Sequence, residues 1–380
     1  MTLDRLRAVA RPRQPRLVAL ALVIGAAIRC AAPAASALPP LPDRLTDQQY
    51  WRLVVEFSEP NGYFNSDNLV SNEDTFQTVI PELTRVVAPG GVYLGVGPDQ
   101  NFSYIAAIDP KMAFITDIRR GNLLVQLMYK ALFEMSSDRA DFLSRLFSRA
   151  RPEGIGPTAT VEQLFEAFNK AVPKQALFDE NAKAIMSRLR TVHGFTLDAD
   201  DAGGVMFAYS SFFQGGPSLR FVSNGGGRFE SYPSFEDLHR SGDGRGAHWS
   251  YLASEARFRI LKRLEENNLV VPLVGNFAGP RALKAVGGYL KEHGAVVGAF
   301  YLSNVERYLF QDGIWGTFMQ NVAALPLGDT STFIRSCFDS CSQYGEPRSI
   351  SLLDSMSGLL KDTTAGRVAS YRDVLAHSHR

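Results

Sequence analysis

The chain has 380 residues, 45% of them hydrophobic and 21% charged, the composition of a globular protein with a large core rather than of a disordered or fibrous one. The overall charge of +1 hides an asymmetry: the first 37 residues hold six arginines and one aspartate, a charge of +5, so the remainder carries −4. A mildly acidic body has no electrostatic footprint for nucleic acid, and the length suits one large domain or two.

The N-terminus reads as a secretory signal. Arg5, Arg7, Arg11, Arg13 and Arg16 precede the apolar run Leu17–Ile28, and Ala35-Ser36-Ala37 offers the small-x-small pattern of a cleavage site after Ala37. The run is shorter than the ~20 residues of a spanning helix, so no membrane span is expected once the signal is removed. Arg29 directly before Cys30 spoils a lipoprotein site. The expectation is a periplasmic or secreted protein; a start codon assigned too far upstream would leave it cytoplasmic.

An Ala/Pro-rich linker, Ala31–Pro42, leads to a helix near Thr46 with Tyr50, Trp51, Leu53, Val54 and Phe57 on its apolar face. Residues 58–71 are rich in Asn, Ser, Asp and Gly and predict an ordered loop. A second helix is expected over Asn72–Val87, broken by Pro89-Gly90-Gly91. Strand Val92–Leu94, a glycine turn, strand Met112–Thr116 and a helix over Arg119–Met135 follow. Residues 136–200 show 3.6-residue spacing at Ala140–Phe147, Val161–Phe168 and Asn181–Leu189, and read as a helical insertion. Then come a strand at Val205–Ser210, a glycine-rich loop at Gly215–Arg228 and a helix over Trp249–Asn267. Strand Val270–Val274, helix Pro280–His293, strand Ala295–Leu302 and a late strand near Thr332–Ser336 complete the pattern, with 341–380 as a C-terminal tail. Strands separated by helices of this length predict an α/β fold with a mainly parallel, doubly wound sheet. The domain reading is 1–37 signal, 38–90 helices and loop, and 91–340 an α/β domain with insertion 136–200. Cys337 and Cys341 are four apart and would share one face of a helix. They read either as a local disulfide in an oxidising compartment or as two unpaired small hydrophobes.

In an open parallel sheet, ligands bind at the carboxyl ends of the strands. Gly95, Gly97 and Asp99 follow the first strand, and Asp117, Arg119 and Arg120 follow the second. Asn276 and Phe277 follow the strand Val270–Val274, and Ser303, Asn304 and Glu306 follow Ala295–Leu302. Gly95 and Gly97 allow a tight turn and close backbone approach. Asp117 lies about 20 residues on, where an acidic residue can accept ribose hydroxyls. The third glycine of a dinucleotide fingerprint is replaced by Gln100, which argues against a nicotinamide dinucleotide, and no Gly-Lys-Ser/Thr phosphate loop is present. Asp67, Asn68 and Asn72, in the loop before the first strand, are further pocket candidates. His193 and His248 lack a metal spacing, and Ser250 lacks the G-x-S-x-G context of a hydrolase.

The blocks FSEPNGYFNSDNLVSNE (Phe57–Glu73), YLGVGPDQNFSYIAAIDPKMAFITDIRR (Tyr93–Arg120), MYKALFEMSSDRADFLSRLF (Met128–Phe147), SYLASE (Ser250–Glu255), NLVVPLVGNFAGPRAL (Asn268–Leu283) and FYLSNVERYLF (Phe300–Phe310) carry a resemblance. The chain resembles a family of uncharacterised bacterial proteins whose fold is similar to that of class I S-adenosylmethionine-dependent methyltransferases, from about Tyr50 to Ser336. The resemblance implies a Rossmann-like, methyltransferase-like sheet and S-adenosylmethionine as cofactor. Gly95 and Gly97 would lie under its methionyl part, Asp117 on its ribose. Asn276 would stand after the fourth strand, where amino-methyltransferases keep Asn or Asp before Pro-Pro and an aromatic. The proline pair is missing here, and Tyr93-Leu94 replaces the acidic residue usual on strand one. Two readings follow: a methyltransferase-like protein of unknown substrate, or an exported, non-catalytic binding protein for a small-molecule ligand on the same fold.

Overall fold

Helix α1 (Asp47–Phe57) starts at Thr46, whose hydroxyl accepts the Gln49 N–H while the Gln49 side chain caps the Thr46 N–H in return. The computed structural model to which it belongs describes residues 38–222, 232–338, 341 and 349–379. The signal with its cleavage site, and residues 223–228 of the glycine-rich stretch, lie outside these residues. In place of one helix over Asn72–Val87 the chain forms a 3-10 turn, Phe76–Val79, and the short α2 (Ile80–Val86). Pro81 explains the restart, because proline fits a first helical turn but cannot donate within a helix interior.

Strand β1 (Val92–Gly95), α3 (Gln100–Ile108), β2 (Met112–Asp117) and α4 (Arg120–Met135) follow as one repeating unit. Every residue of β1 and β2 is buried, so both faces of these strands are covered, which is why they read as apolar runs without alternation. The connection from β2 to β3 (Val270–Val274) is long and helical: α5 (Arg139–Phe147), α6 (Val161–Lys170), α7 (Gln175–Ser187), α8 (Ala199–Gly215), α9 (Phe235–Arg240) and α10 (Glu255–Glu266). The strand expected at Val205–Ser210 is the middle of α8. Its buried positions Val205, Ala208, Tyr209 and Phe212 recur at helical spacing, and a short apolar run does not distinguish the two states by itself. The helix expected from Trp249 begins only after Ser254, which caps α10 and leaves 249–253 as turns.

Beyond β3 come α11 (Ala282–Glu292), β4 (Val297–Ser303), α12 (Val305–Gln311), α13 (Trp315–Ala323) and β5 (Leu327–Phe338). Residues 341–380, expected as a tail, carry β6 (Ser349–Ser355), α14 (Met356–Thr364) and α15 (Tyr371–His377). Cys337, at the end of β5, is bonded to Cys341, so the pair links a strand to the following loop rather than sharing a helical face.

The sheet order is β3-β2-β1-β4-β5-β6, with β6 antiparallel to β5 and the other pairs parallel. This is a Rossmann-like α/β sheet, and the chain direction reverses across it at β1, between β2 and β4. Helix α4 packs on β2 and β3, α1 on β3, and α14 on β5 and β6. An aromatic cluster joins the crossover helices to α3: Phe102 meets Tyr251 edge-on at 5.4 Å, and Phe133 stacks on Phe142 at 4.7 Å. Residues 38–380 form one unit, with no boundary between the helical crossover and the sheet. Among the described residues no helix is long and apolar enough to cross a membrane.

Candidate functional site

A cavity of about 220 Å³ lies at the carboxyl ends of β1, β2, β3 and β4, on either side of the position where the strand order reverses. Open α/β sheets bind ligands there because neighbouring loops diverge and leave a crevice. Val96, Gly97 and Pro98 form its floor after β1; Thr116, Asp117 and Ile118 follow from β2. Gly275, Asn276 and Phe277 come from β3, and Tyr301, Ser303 and Asn304 from β4. The loop before β1 supplies Tyr63, Phe64, Asn68, Ser71, Asn72 and Glu73, and α12 supplies Tyr308.

The glycine turn divides into two roles. Gly97 lines the cavity with φ +80°, a left-handed conformation that a side chain would strain. Gly95 does not line it: a Cβ there would run into Asn101 and Tyr93. Asn101 is locked in place, with Nδ2 donating to the carbonyls of Val96 (2.8 Å) and Pro98 (2.7 Å) and Oδ1 accepting the Tyr93 hydroxyl (2.8 Å). Asp99 also points elsewhere. Its Oδ2 bonds His239 Nε2 (3.0 Å) and the Tyr251 hydroxyl (3.2 Å) in the helical crossover. His239 Nδ1 lies 2.6 Å from Ser250 Oγ, so Asp99, His239 and Ser250 form a hydrogen-bonded chain. All three are buried and none lines the cavities described, and the chain ties the β1 turn to α9.

Asp117 faces the cavity from the end of β2. Its Oδ1 accepts the Arg119 N–H (2.9 Å), and Oδ2 has no hydrogen-bond partner among the described residues. Burial pushes its carboxyl up, and the neighbouring Arg119 guanidinium, 3.4 Å away, pulls against that. Arg119 does not line the cavity; its Nη1 donates to the Asp67 carbonyl (2.6 Å), so Arg119 and Asp67 hold the loop instead of touching a ligand. Arg120 pairs with Asp201 of α8. The same loop is pinned to the strand ends by Glu59 N to the Val274 carbonyl and Gly62 N to the Ile118 carbonyl, both 2.8 Å. It leaves Tyr63, 78% exposed, at the mouth and sets Phe64 edge-on to Tyr308 of α12 across the opening (5.6 Å).

The topology corrects one correspondence. Asn276 follows the third strand, which is the edge of the sheet beyond β2, whereas the strand flanking β1 on its other side is β4 and ends in Ser303-Asn304. Asn276 Oδ1 accepts the Ala278 N–H (2.9 Å) and stabilises its own turn, leaving Nδ2 uncommitted. The side chains of Asn68, Asn72 and Asn304 line the cavity without a hydrogen bond among the described residues. Phe277 lines the wall, but its ring packs inward on Phe300 (5.0 Å). Asn68 (φ 51°) and Ser303 (φ 52°) hold left-handed backbone conformations at the cavity, the kind of strain that concentrates at binding sites.

Sequence reasoning missed Glu73, Tyr301 and the aromatic pair Phe64–Tyr308. Glu73 is fully buried; Ser303 Oγ donates to its Oε1 and Gln100 Nε2 to its Oε2 (2.6 Å). Burial raises its pKa against the pull of these donors. The signal that could have found it is Gln100: a buried amide where a dinucleotide turn has glycine needs a partner, and Glu73 is that partner. Glu73, Asp117 and Asp312 are the charged residues of the lining, which has no Lys, Arg or His among the described residues. His193 lies instead between Asp47 (2.8 Å) and Glu134 (2.7 Å), and His248 beside Glu162. Among the described residues no group of three His, Cys, Asp or Glu is placed to hold a metal ion. The cavity can thus orient a ligand by carboxylates, amide groups and backbone, and cover it with aromatic rings. No curated protein matches the chain. A family model does match, over residues 68–200 and 234–355, which include the strand ends and most of the cavity wall: the chain belongs to the family described as Domain of unknown function (DUF7790).

Proposed function

We propose that this cleft binds an adenosyl ligand of the S-adenosylmethionine class and that the protein is methyltransferase-like, with an unidentified methyl acceptor. The observation that carries the reading is the charge of the lining: carboxylates at Glu73, Asp117 and Asp312, and no cationic side chain among the described residues. A pyrophosphate-bearing cofactor calls for the opposite field, or for a third glycine that Gln100 replaces. A sulfonium ligand is cationic and suits an acidic cleft. The residues present fit the group at two further points. Oδ2 of Asp117 is uncommitted and can accept ribose hydroxyls, and the turn at Gly97 offers backbone where a side chain would intrude.

When bound, the cofactor supplies the activated methyl group; the protein's task is alignment and exclusion of water. Asp117 would hold the ribose, Asn276 Nδ2 and Ile118 would flank the nucleoside toward β3, and Asn304 would face the side toward β4. Tyr63, Phe64 and Tyr308 would shield the contents from solvent. The test is calorimetric titration of the purified chain with S-adenosylmethionine and S-adenosylhomocysteine, with Asp117→Ala alongside. Micromolar binding in the parent, weakened about tenfold to a hundredfold in the variant, supports the site. A folded protein that gives no heat with either ligand overturns it.

A second reading rests on the Cys337–Cys341 disulfide together with the N-terminal signal pattern. Disulfides persist in oxidising compartments. In that reading the protein is periplasmic or secreted and the same cleft serves as a non-catalytic binding site, because the methyl donor is made and kept in the cytoplasm.

A further inference from the structure

We propose that Glu73 is the counter-ion for an ammonium group on the ligand of this cleft, an assignment that rests on the adenosyl reading and names how its amino-acid end is held. The other buried acids of this molecule have cations or are remote from any cavity. Glu306 and Asp354 share Arg335, Glu134 meets Lys130 at 2.8 Å, and Asp201 meets Arg120. Glu265 lacks an ion pair but lines no described cavity. Glu73 is buried, lines the cavity and receives only neutral donors, Ser303 Oγ and Gln100 Nε2 with the hydroxyls of Ser336 and Tyr301 beside them, and no cation is paired to it among the described residues. Isolated buried charge is expensive, and the cost is removed by a cationic partner.

An independent observation points to the same occupant. Asp117, on the neighbouring strand end, is also more than nine-tenths buried and presents an uncommitted carboxylate oxygen to the same cavity. Two carboxylates on the walls of one crevice, one at β2 and one against the β4 end, fit a ligand with hydroxyls at one end and an ammonium at the other. Ser303, with its backbone left-handed, places its hydroxyl on Oε1.

The titratable groups around Glu73 are Tyr93 of β1, Tyr104 of α3, Tyr301 of β4 and Tyr371 of α15. Burial raises all four phenols, so they stay neutral while Glu73 titrates. In the ligand-free cleft burial favours the protonated carboxyl; an arriving ammonium favours the carboxylate. Binding should therefore release a proton from Glu73 to solvent.

The experiment compares S-adenosylhomocysteine, which carries the ammonium, with 5′-methylthioadenosine, which lacks the amino-acid end. Both are titrated into the full chain and its Glu73→Gln variant. The expected result is about a tenfold to hundredfold loss of S-adenosylhomocysteine affinity in the variant, with methylthioadenosine unchanged within about twofold. Equal weakening of both ligands, or of neither, overturns the assignment while leaving the adenosyl reading intact. Failure of both ligands to bind the parent chain overturns the adenosyl reading and this assignment with it. A measurement on the parent chain guards against a variant that does not fold. Over a series of acidic pH values, the S-adenosylhomocysteine enthalpy should depend on the ionisation enthalpy of the buffer wherever Glu73 is protonated before binding. The methylthioadenosine enthalpy should not. Buffer-independent heats for both ligands overturn the assignment.

Discussion

Gln100 occupies the position of a dinucleotide turn's third glycine, and its amide bridges Ser71 and Glu73 beneath the cavity. A glycine there would allow close packing of helix on strand; the amide instead fixes a carboxylate. Single residues likewise set the pH response of the fold. The carboxyl of Glu265, fully buried at the end of α10, is pushed up to about 8: burial raises it, Lys130 pulls it back and Glu134 adds to the rise. The folded state then holds a proton that the unfolded chain releases from about pH 4.5 upward. Stability from this group is complete below the unfolded value and is lost as pH climbs through the folded one. Glu265→Gln, which mimics the protonated acid, should match the parent near pH 4.5 and exceed it near pH 8 by up to about 4 kcal/mol. Urea unfolding at both pH values checks this, and a difference that does not grow with pH would count against it.

At the scale of elements, the decisive pairing is β5 with β6. Arg335 of β5 is fully buried, with Nε 2.6 Å from Glu306 of α12 and Nη1 2.8 Å from Asp354 of β6. One guanidinium thereby joins three elements of the C-terminal part of the chain, α12, β5 and β6. Arg335→Met would leave two buried carboxylates without a cation and should cost about 3–5 kcal/mol. A denaturant midpoint within error of the parent would show that the network is dispensable. Elements with one long local signal were legible: α4 and α6 start within a residue of their expected positions. Where two signals competed, packing decided. Val205–Ser210 became helix because α8 buries Val205, Ala208, Tyr209 and Phe212 together, and its contacts with α4 and α5 reward that face.

For the whole molecule, export decides between the two functional readings. The exported reading proposed above takes the +5 segment and its apolar run as a signal and the Cys337–Cys341 bond as suited to an oxidising compartment. Fusing the first 45 residues to a reporter that is active only outside the cytoplasm should give signal. A silent reporter would favour a cytoplasmic protein and the methyltransferase reading. The cleft itself is a property of the whole chain, because its walls come from the loop before β1, four strand ends and α12.

The sequence alone determined the class of fold, the β1 to β4 strands and the residues at their ends, since apolar runs, caps and glycine turns are local properties. From those ends Gly97, Asp117, Asn276 and Asn304 could be named as cavity residues, and the structure brings them together with Asn68 and Asn72. Only the tertiary structure decided the strand order, which moves Asn276 to the edge strand and puts Ser303 and Asn304 beside β1. It alone turned Asp99 toward His239, 140 residues away, and set Glu73 against Ser303, 230 residues away. The physical reason is that a polar group's partner is chosen by burial and distance in the folded molecule. No periodicity within a segment records which distant side chain will satisfy it.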